Sequence, residues 1–174
     1  NTGGVGANDG LSLVSSERNL ISNNNITVSG GGTNNGINVR SSVIENNFSD
    51  IIIKIYADPN PGAGINFVGG SNNSFLNMHI ITNSSSQPIV LSSASFANFS
   101  FQDSIINASN TNVPDVLILI GVRGGEWNFT NVTRSDSSAF RKSWSAGAIG
   151  TLNVHWYVDA FANYTNSSNA SNSN

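Results

Sequence analysis

The chain has 174 residues, no cysteine, 10% charged residues and a formal net charge of −3, and 29 Asn and 28 Ser make up nearly a third of it. One domain is the natural count for this length, and Asn and Ser favour turns over helices. The absence of cysteine excludes disulfides and thiolate metal sites, the scattered basic residues argue against a nucleic-acid partner, and no apolar run reaches the length of a transmembrane helix.

Five short phrases recur along the chain, each with two apolar residues two positions apart. They read NDGLSLVSS, NNGINVRSS, GAGINFVGG, SQPIVLSSA and VLILIGV, and we anchor them at Gly10, Gly36, Gly64, Pro88 and Val116. The anchors lie 26, 28, 24 and 28 residues apart. A spacing of two places both apolar side chains on one face of a strand. Recurrence at about 20 to 50 residues is typical of repeat architectures, in which one unit alone cannot bury its apolar face.

The phrases predict two columns of interior side chains. Their members are Leu11, Ile37, Ile65, Ile89 and Leu117 in one column and Leu13, Val39, Phe67, Leu91 and Leu119 in the other. Each phrase is followed by a second apolar cluster, such as FLNMHI or WNFTNV, so each repeat holds two or three short strands joined by turns. The sequence therefore predicts an all-β protein: a single-stranded parallel β-helix, or β-solenoid, of about five coils with a C-terminal strand or cap.

The sequence motif for N-glycosylation, Asn-X-Ser/Thr, is frequent in this chain. It occurs eleven times, at Asn25, Asn47, Asn72, Asn83, Asn98, Asn107, Asn128, Asn131, Asn163, Asn166 and Asn169. Random placement of the same residues would give roughly six such sequons, because the chain is rich in Asn, Ser and Thr. The alternative interpretation is that Asn and Ser simply suit the turns and outer faces of a solenoid. We expect glycans on at least some of these sites, which implies an exported protein.

Two of the coils, GINVRSSVIENNFSDIIIKI and GINFVGGSNNSFLNMHIIT, carry a resemblance to known proteins. They resemble the right-handed parallel β-helix of pectate-lyase-like proteins, and more closely the NosD-like surface β-helices of archaea such as methanogens. The resemblance covers residues 10–135 or so. It implies a right-handed solenoid in an extracellular, glycosylated protein of the cell surface, and it does not by itself imply catalysis.

The segment GTLNVHWYVDAFANYTNSS near the end of the chain alternates apolar and polar residues. Leu152, Val154, Trp156 and Val158 share one face of the predicted strand. The segment resembles the exit from the solenoid into an immunoglobulin-like strand in archaeal surface proteins. It would also serve as a cap, or complete the sheet of a neighbouring chain by strand addition, so these four residues are the candidate subunit interface.

These patterns divide the chain into four segments. We expect an N-terminal arm over residues 1–9, the β-helix repeats over 10–138, a C-terminal cap or immunoglobulin-like exit strand over 139–162, and a polar, glycosylatable tail or linker over 163–174. The tail NYTNSSNASNSN is too polar to pack into a core.

Catalytic and metal-binding patterns are weak. Solenoid enzymes that cleave polysaccharides need carboxylates that converge on one groove, whereas the ten acidic residues here fall at differing places in the repeats. His79 and His155 have no ligand partners nearby in sequence. Scattered aromatic residues such as Tyr56 and Trp127 offer little of the exposed row that binds carbohydrate. The sequence predicts no catalytic site, no cofactor and no metal.

The leading functional hypothesis is an extracellular structural glycoprotein subunit. It would join copies of itself head to tail through the ends of the solenoid and the C-terminal strand, and so build a surface filament, sheath or surface layer, because a heterologous contact that does not close makes a filament. The alternative is a carbohydrate-binding or adhesion module of a larger surface protein, and a polysaccharide lyase or hydrolase is less favoured. The partners expected are further copies of the chain and covalent N-glycans.

Overall fold

The computed structural model describes residues 8–57, 62–83, 85–92, 98–119 and 121–158, which form sixteen strands and no helix. The strands are β1 Asp9–Leu13, β2 Leu20–Ser22, β3 Asn25–Gly30, β4 Asn35–Val39, β5 Asn47–Ser49, β6 Ile52–Ala57, β7 Ala63–Phe67, β8 Asn73–Leu76, β9 His79–Thr82, β10 Gln87–Leu91, β11 Phe99–Gln102, β12 Ile105–Ala108, β13 Val116–Ile118, β14 Arg123–Thr130, β15 Lys142–Trp144 and β16 Ile149–His155.

The strands stack into three parallel sheets. Sheet 1 has the order β1-β4-β7-β10-β13-β15, sheet 2 has β2-β5-β8-β11-β14-β16, and sheet 3 has β3-β6-β9-β12. Every third strand thus pairs with its counterpart one coil later, as in Leu11 opposite Ile37 and Phe48 opposite Phe75. The prediction of an all-β parallel solenoid of about five coils with a C-terminal strand is confirmed.

The interior of sheet 1 follows the predicted columns through four coils and departs from them in the fifth. Ile89 lies opposite Val116, and Leu91 lies opposite Ile118. Val116 and Ile118 are fully buried, whereas Leu117 and Leu119 are half-buried on the other face. The assignment of Leu117 and Leu119 to the interior was therefore wrong by one residue.

In the first three coils the residue before the inward apolar pair is a glycine, and it lies where sheets 1 and 3 approach closely. A Cβ added to Gly36 would collide with the Ile53 side chain of sheet 3 and would lie 2.6 Å from the Gly64 carbonyl oxygen. In the fifth coil the equivalent position is Asp115, since Ile89 pairs with Val116. Pro88 replaces the glycine in the fourth coil, so the repeated glycine that marks the register in the first three coils is absent from the last two.

Sheet 2 carries a column of stacked aromatic rings. Successive inward positions along it are Ile21, Phe48, Phe75, Phe101, Phe129 and Val154. The three ring-to-ring centroid distances are 4.6, 4.5 and 5.2 Å, and the neighbouring planes are within 14° of parallel. All four Phe side chains are buried, and each contributes about 1.5–3 kcal/mol through burial alone.

A second inward column of sheet 2 changes chemistry along its length. Asn19, Asn46 and Asn73 form a ladder in which Asn46 Nδ2 donates to Asn73 Oδ1 at 3.1 Å and Asn19 Nδ2 donates to Asn46 Oδ1 at 2.9 Å. The next two members are Phe99 and Trp127, which are buried. The first half of this column is thus held by amide hydrogen bonds and the second half by aromatic packing.

The corner between sheets 2 and 3 has the same backbone conformation in every coil. Its residues have positive φ angles of 49–55° and are Asn23, Asp50, Asn77, Asp103 and Asn131. Asn and Asp adopt this left-handed conformation more readily than other non-glycine residues. This preference explains why one Asn or Asp recurs every 26 to 28 residues at this corner.

Candidate functional site

Eight of the eleven sequon asparagines lie in the described residues. Asn25, Asn47, Asn107 and Asn128 are in strands of sheets 2 and 3, and Asn72, Asn83, Asn98 and Asn131 flank such strands. None of the eight is in a strand of sheet 1. Asn163, Asn166 and Asn169 lie outside the described residues. The sequons are therefore concentrated on two sides of the solenoid.

The sequons differ in how available the amide nitrogen is, and this is the atom to which an N-glycan is attached. Asn25, Asn47, Asn72 and Asn98 are exposed, whereas Asn83, Asn107, Asn128 and Asn131 are half-buried. Asn131 Nδ2 donates to Asp103 Oδ1 at 2.7 Å, and this hydrogen bond is the main reason why the pKa of Asp103 is lowered. In Asn98 the oxygen is engaged instead, since Oδ1 accepts from the Glu126 N–H at 3.2 Å. The exposed asparagines are therefore better sites for glycan attachment than Asn131.

The two ends of the solenoid expose strand edges. Among the described residues, β1, β2 and β3 are the first strands of their sheets, and β15, β16 and β12 are the last. Apolar side chains are exposed at both ends, with Leu20 at 73% in β2 and Ile149 at 58% in β16. An unpaired strand edge offers a row of backbone donors and acceptors to another chain.

The predicted interface residues of the C-terminal segment separate into two groups. Leu152 and Val154 lie in β16 opposite Trp127 and Phe129, on the inward face of the strand. Trp156 and Val158 follow the strand, which ends at His155, and they are exposed. Residues 149–155 pair in parallel with β14, so this segment continues the solenoid rather than starting a new sheet.

The last coil is fastened by one buried carboxylate. Asp115 is fully buried and accepts hydrogen bonds from two arginine side chains, with Arg134 Nη1 at 2.7 Å from Oδ2 and Arg141 Nε at 3.1 Å. The N–H groups of Ala108 and Arg141 also donate to it, each at 2.7 Å. Burial raises the pKa of Asp115, but the hydrogen bonds from Arg141, Ala108 and Arg134 outweigh this effect and leave it lowered. We call Asp115, Arg134 and Arg141 the clasp.

The clasp closes the end of sheet 3. Both arginines also donate to the backbone carbonyl oxygen of Ala108, the last residue of β12, with Arg141 Nη2 at 3.1 Å from it. The two guanidinium groups share the Asp115 carboxylate, Arg134 also lies 4.0 Å from the Asp136 carboxylate, and each hydrogen bond runs within the fold, which is the arrangement expected of a structural site. The sequence shows two features of the clasp: the adjacent basic residues Arg141 and Lys142, and an acidic residue, Asp115, inside an apolar phrase. The local sequence does not show that Asp115 pairs with Arg141.

The remaining candidate groups do not come together. Asp50 and Asp103 share a corner column but alternate with Asn77, which donates to Asp50 at 2.7 Å. Across the residues that the structure describes, no group of three or more His, Asp or Glu side chains is placed to hold a metal ion. Trp127 is fully buried, which corrects its place among the exposed aromatic residues, and Tyr56 is half exposed.

The strand pairing defines the class of fold as a parallel β-solenoid of about five coils. Comparison with protein-family models, with curated proteins and with solved structures finds no match to this chain. A search of the described residues for a helix long and apolar enough to cross a membrane also finds none.

Proposed function

We propose that the chain is the subunit of an extracellular structural polymer, a filament, sheath or surface layer, in which solenoids join end to end and carry N-glycans on their sides. The observation that carries this proposal is the pair of solenoid ends. Each end has a sheet whose edge strand is unpaired among the described residues, and the inward apolar side chains there are incompletely covered, as in half-buried Ile21 and Val154, which is 37% exposed.

The arrangement of charges and sequons supports the same function. The described carboxylates are dispersed or locked in structural contacts such as the clasp, which favours a scaffold over an enzyme. The described sequons lie along sheets 2 and 3, and all but Asn25, which is in the first strand of sheet 3, are away from the N-terminal edge, where glycans would leave contact between the ends possible. The resemblance to archaeal surface β-helices supports a location outside the cell.

Electron microscopy of the native material, without fixative or added partner, tests the proposal. We expect filaments or sheets with an axial repeat of roughly 3 nm, from six strand levels at about 4.8 Å each. Discrete monomers at all concentrations would overturn the polymer and favour the carbohydrate-binding or adhesion module.

Mass spectrometry of peptides from the same material should find glycans at Asn25 and Asn47, and a chain without any glycan would contradict the extracellular assignment.

A further inference from the structure

The three sheets end differently at the C-terminal end of the solenoid. Sheet 3 is closed, because Arg141 of the clasp donates to the carbonyl oxygens of Ala108, the last residue of β12, and Asn110, just beyond it. Thr133 also pairs with Ile105 across this edge. A neighbouring strand therefore cannot continue sheet 3 without breaking the clasp.

Sheet 1 ends on a strand that resists further pairing. β15 has three residues, and Lys142 occupies the position that buried Val116 holds one coil earlier. A lysine at an inward-facing position of an edge strand discourages pairing, since its charge would be buried by the next strand. Trp144 packs back on Trp127 with ring centroids 5.6 Å apart, and its Nε1 donates to Ala148 O at 3.0 Å.

Among the described residues, sheet 2 remains open at this end. β16 has seven residues, and its inward positions carry Leu152, half-buried, and Val154, 37% exposed. Residues 156–158, the last that the structure describes, do not turn across this edge, because Tyr157 is held at the corner by hydrogen bonds with Gln102, at 3.0 Å, and Asp103, at 3.4 Å. Of the three sheets, this one presents an apolar and uncharged inward face at the C-terminal end.

The opposite end of sheet 2 matches it. Ile21 in β2 and Val154 in β16 are the first and last members of the same inward column, whose middle members are the stacked Phe rings. Ile21 is half-buried and lacks a neighbour on its outer side among the described residues. A second copy placed in the same register would seat Ile21 on Val154 and extend the column without interruption.

We propose that the subunits join through sheet 2 alone, by parallel pairing of β16 with β2 of the next copy. This inference rests on the proposed end-to-end assembly and names its joint. The register places Asn153, Val154 and His155 opposite Leu20, Ile21 and Ser22 of the next copy. Exposed Trp156 and Val158 then come beside the Asn23 corner of that copy and widen the contact.

Cysteine cross-linking tests this joint directly, because the natural chain has no cysteine. Ser22 and His155 are outward-facing positions at the two ends of sheet 2, and in the proposed register they face each other across the joint. Parallel strands are about 4.8 Å apart, which suits a disulfide. Under mild oxidation the Ser22→Cys/His155→Cys variant should form a ladder of covalent oligomers that reducing agent dissolves.

The matched control is the Ser12→Cys/Ser143→Cys variant, whose positions are the outward-facing ends of sheet 1. We expect no ladder from it, and none from either sheet 2 cysteine alone. A ladder from both double variants would overturn the restriction to sheet 2, and covalent dimers from His155→Cys alone would overturn the head-to-tail direction. Filaments of the wild-type chain without any ladder from Ser22→Cys/His155→Cys would overturn the joint and leave the proposed function standing. Absence of filaments from the wild-type chain would overturn both.

Discussion

The middle coils and the last coil of this solenoid are held together in different ways. From β4 to β12, three strands per coil stack in register, and stability is spread over columns of buried Ile and Phe with an amide ladder at one corner. From Asp115 onward the described residues add no strand to sheet 3, and one carboxylate and two arginines hold the chain that follows. The middle should therefore tolerate conservative substitutions and unfold as a whole when a charge is buried in it, whereas loss of one clasp residue should loosen the end locally.

The largest effect is expected where a charge enters a column of the middle coils. Ile65 is fully buried between Ile37 and Ile89, so Ile65→Asp buries an unpaired carboxylate, which domains of ordinary stability, about 5–15 kcal/mol, do not tolerate. Circular dichroism should show an unfolded or insoluble chain. Leu76→Asp is the control, since Leu76 is in the same coil but 41% exposed, and it should fold. A folded, soluble Ile65→Asp chain would contradict the interior assignment.

A smaller and more local effect is expected at the clasp. Asp115→Asn leaves Arg134 and Arg141 without their counter-charge in a buried place, and breaking such a cluster costs about 3–5 kcal/mol. Hydrogen exchange should show loss of protection in β15 and β16, while β4 to β11 stay protected. Asp136→Asn is the control, because Asp136 is exposed and 4.0 Å from Arg134, and it should change stability by less than about 1 kcal/mol.

Acid should reproduce the Asp115→Asn result in the wild-type chain. The pKa of Asp115 lies below its ordinary value of 3.8 in the folded state. The contribution of this carboxylate is therefore present above about pH 4 and is lost as the pH falls towards the lowered pKa. Protection of β16 that vanished already at about pH 5 would contradict this assignment.

The smallest effect is expected at the repeated corner. Asn77 has a φ of 51° and donates to Asp50. Asn77→Ala loses that hydrogen bond and places alanine in the left-handed conformation, so the free energy of unfolding should fall by about 1–2 kcal/mol in urea denaturation. Asn77→Gly loses the same hydrogen bond without the backbone strain, so its free energy of unfolding should fall by less. Equal losses in the two variants would show that the backbone conformation contributes nothing.

The fold was predictable because its main signal is repeated. The alternation of Ile37 and Val39, or Ile65 and Phe67, recurs at coil spacing, and each copy reinforces the others. The prediction failed where repetition stops, at Leu117, Leu119 and Trp127. Their burial depends on the register of β13 and β14 against the strands of the neighbouring coil, and that register is not a property of the local sequence.

The candidate site was predictable only to a limited extent, for the same reason. Sequons and the apolar face of β16 are local patterns, and both could be found from the sequence. The clasp joins Asp115 to Arg134 and Arg141, which are 19 and 26 residues further along the chain, and no spacing rule connects these residues. Lys142 discourages further strand pairing and Val154 permits it. This difference becomes apparent only once β15 and β16 are known to be the last described strands of their sheets.

The parallel stacking also has a mechanical consequence. Each coil stores about 27 residues, the interval from Phe48 to Phe75, in an axial rise of about 4.8 Å. Tension along the axis pulls on the backbone hydrogen bonds between coils in their own direction, so the coils separate in succession. Each released coil adds roughly 90 Å of extended chain. A subunit pulled from its two ends would therefore lengthen many-fold as its coils are released one after another, and would absorb work as it does so.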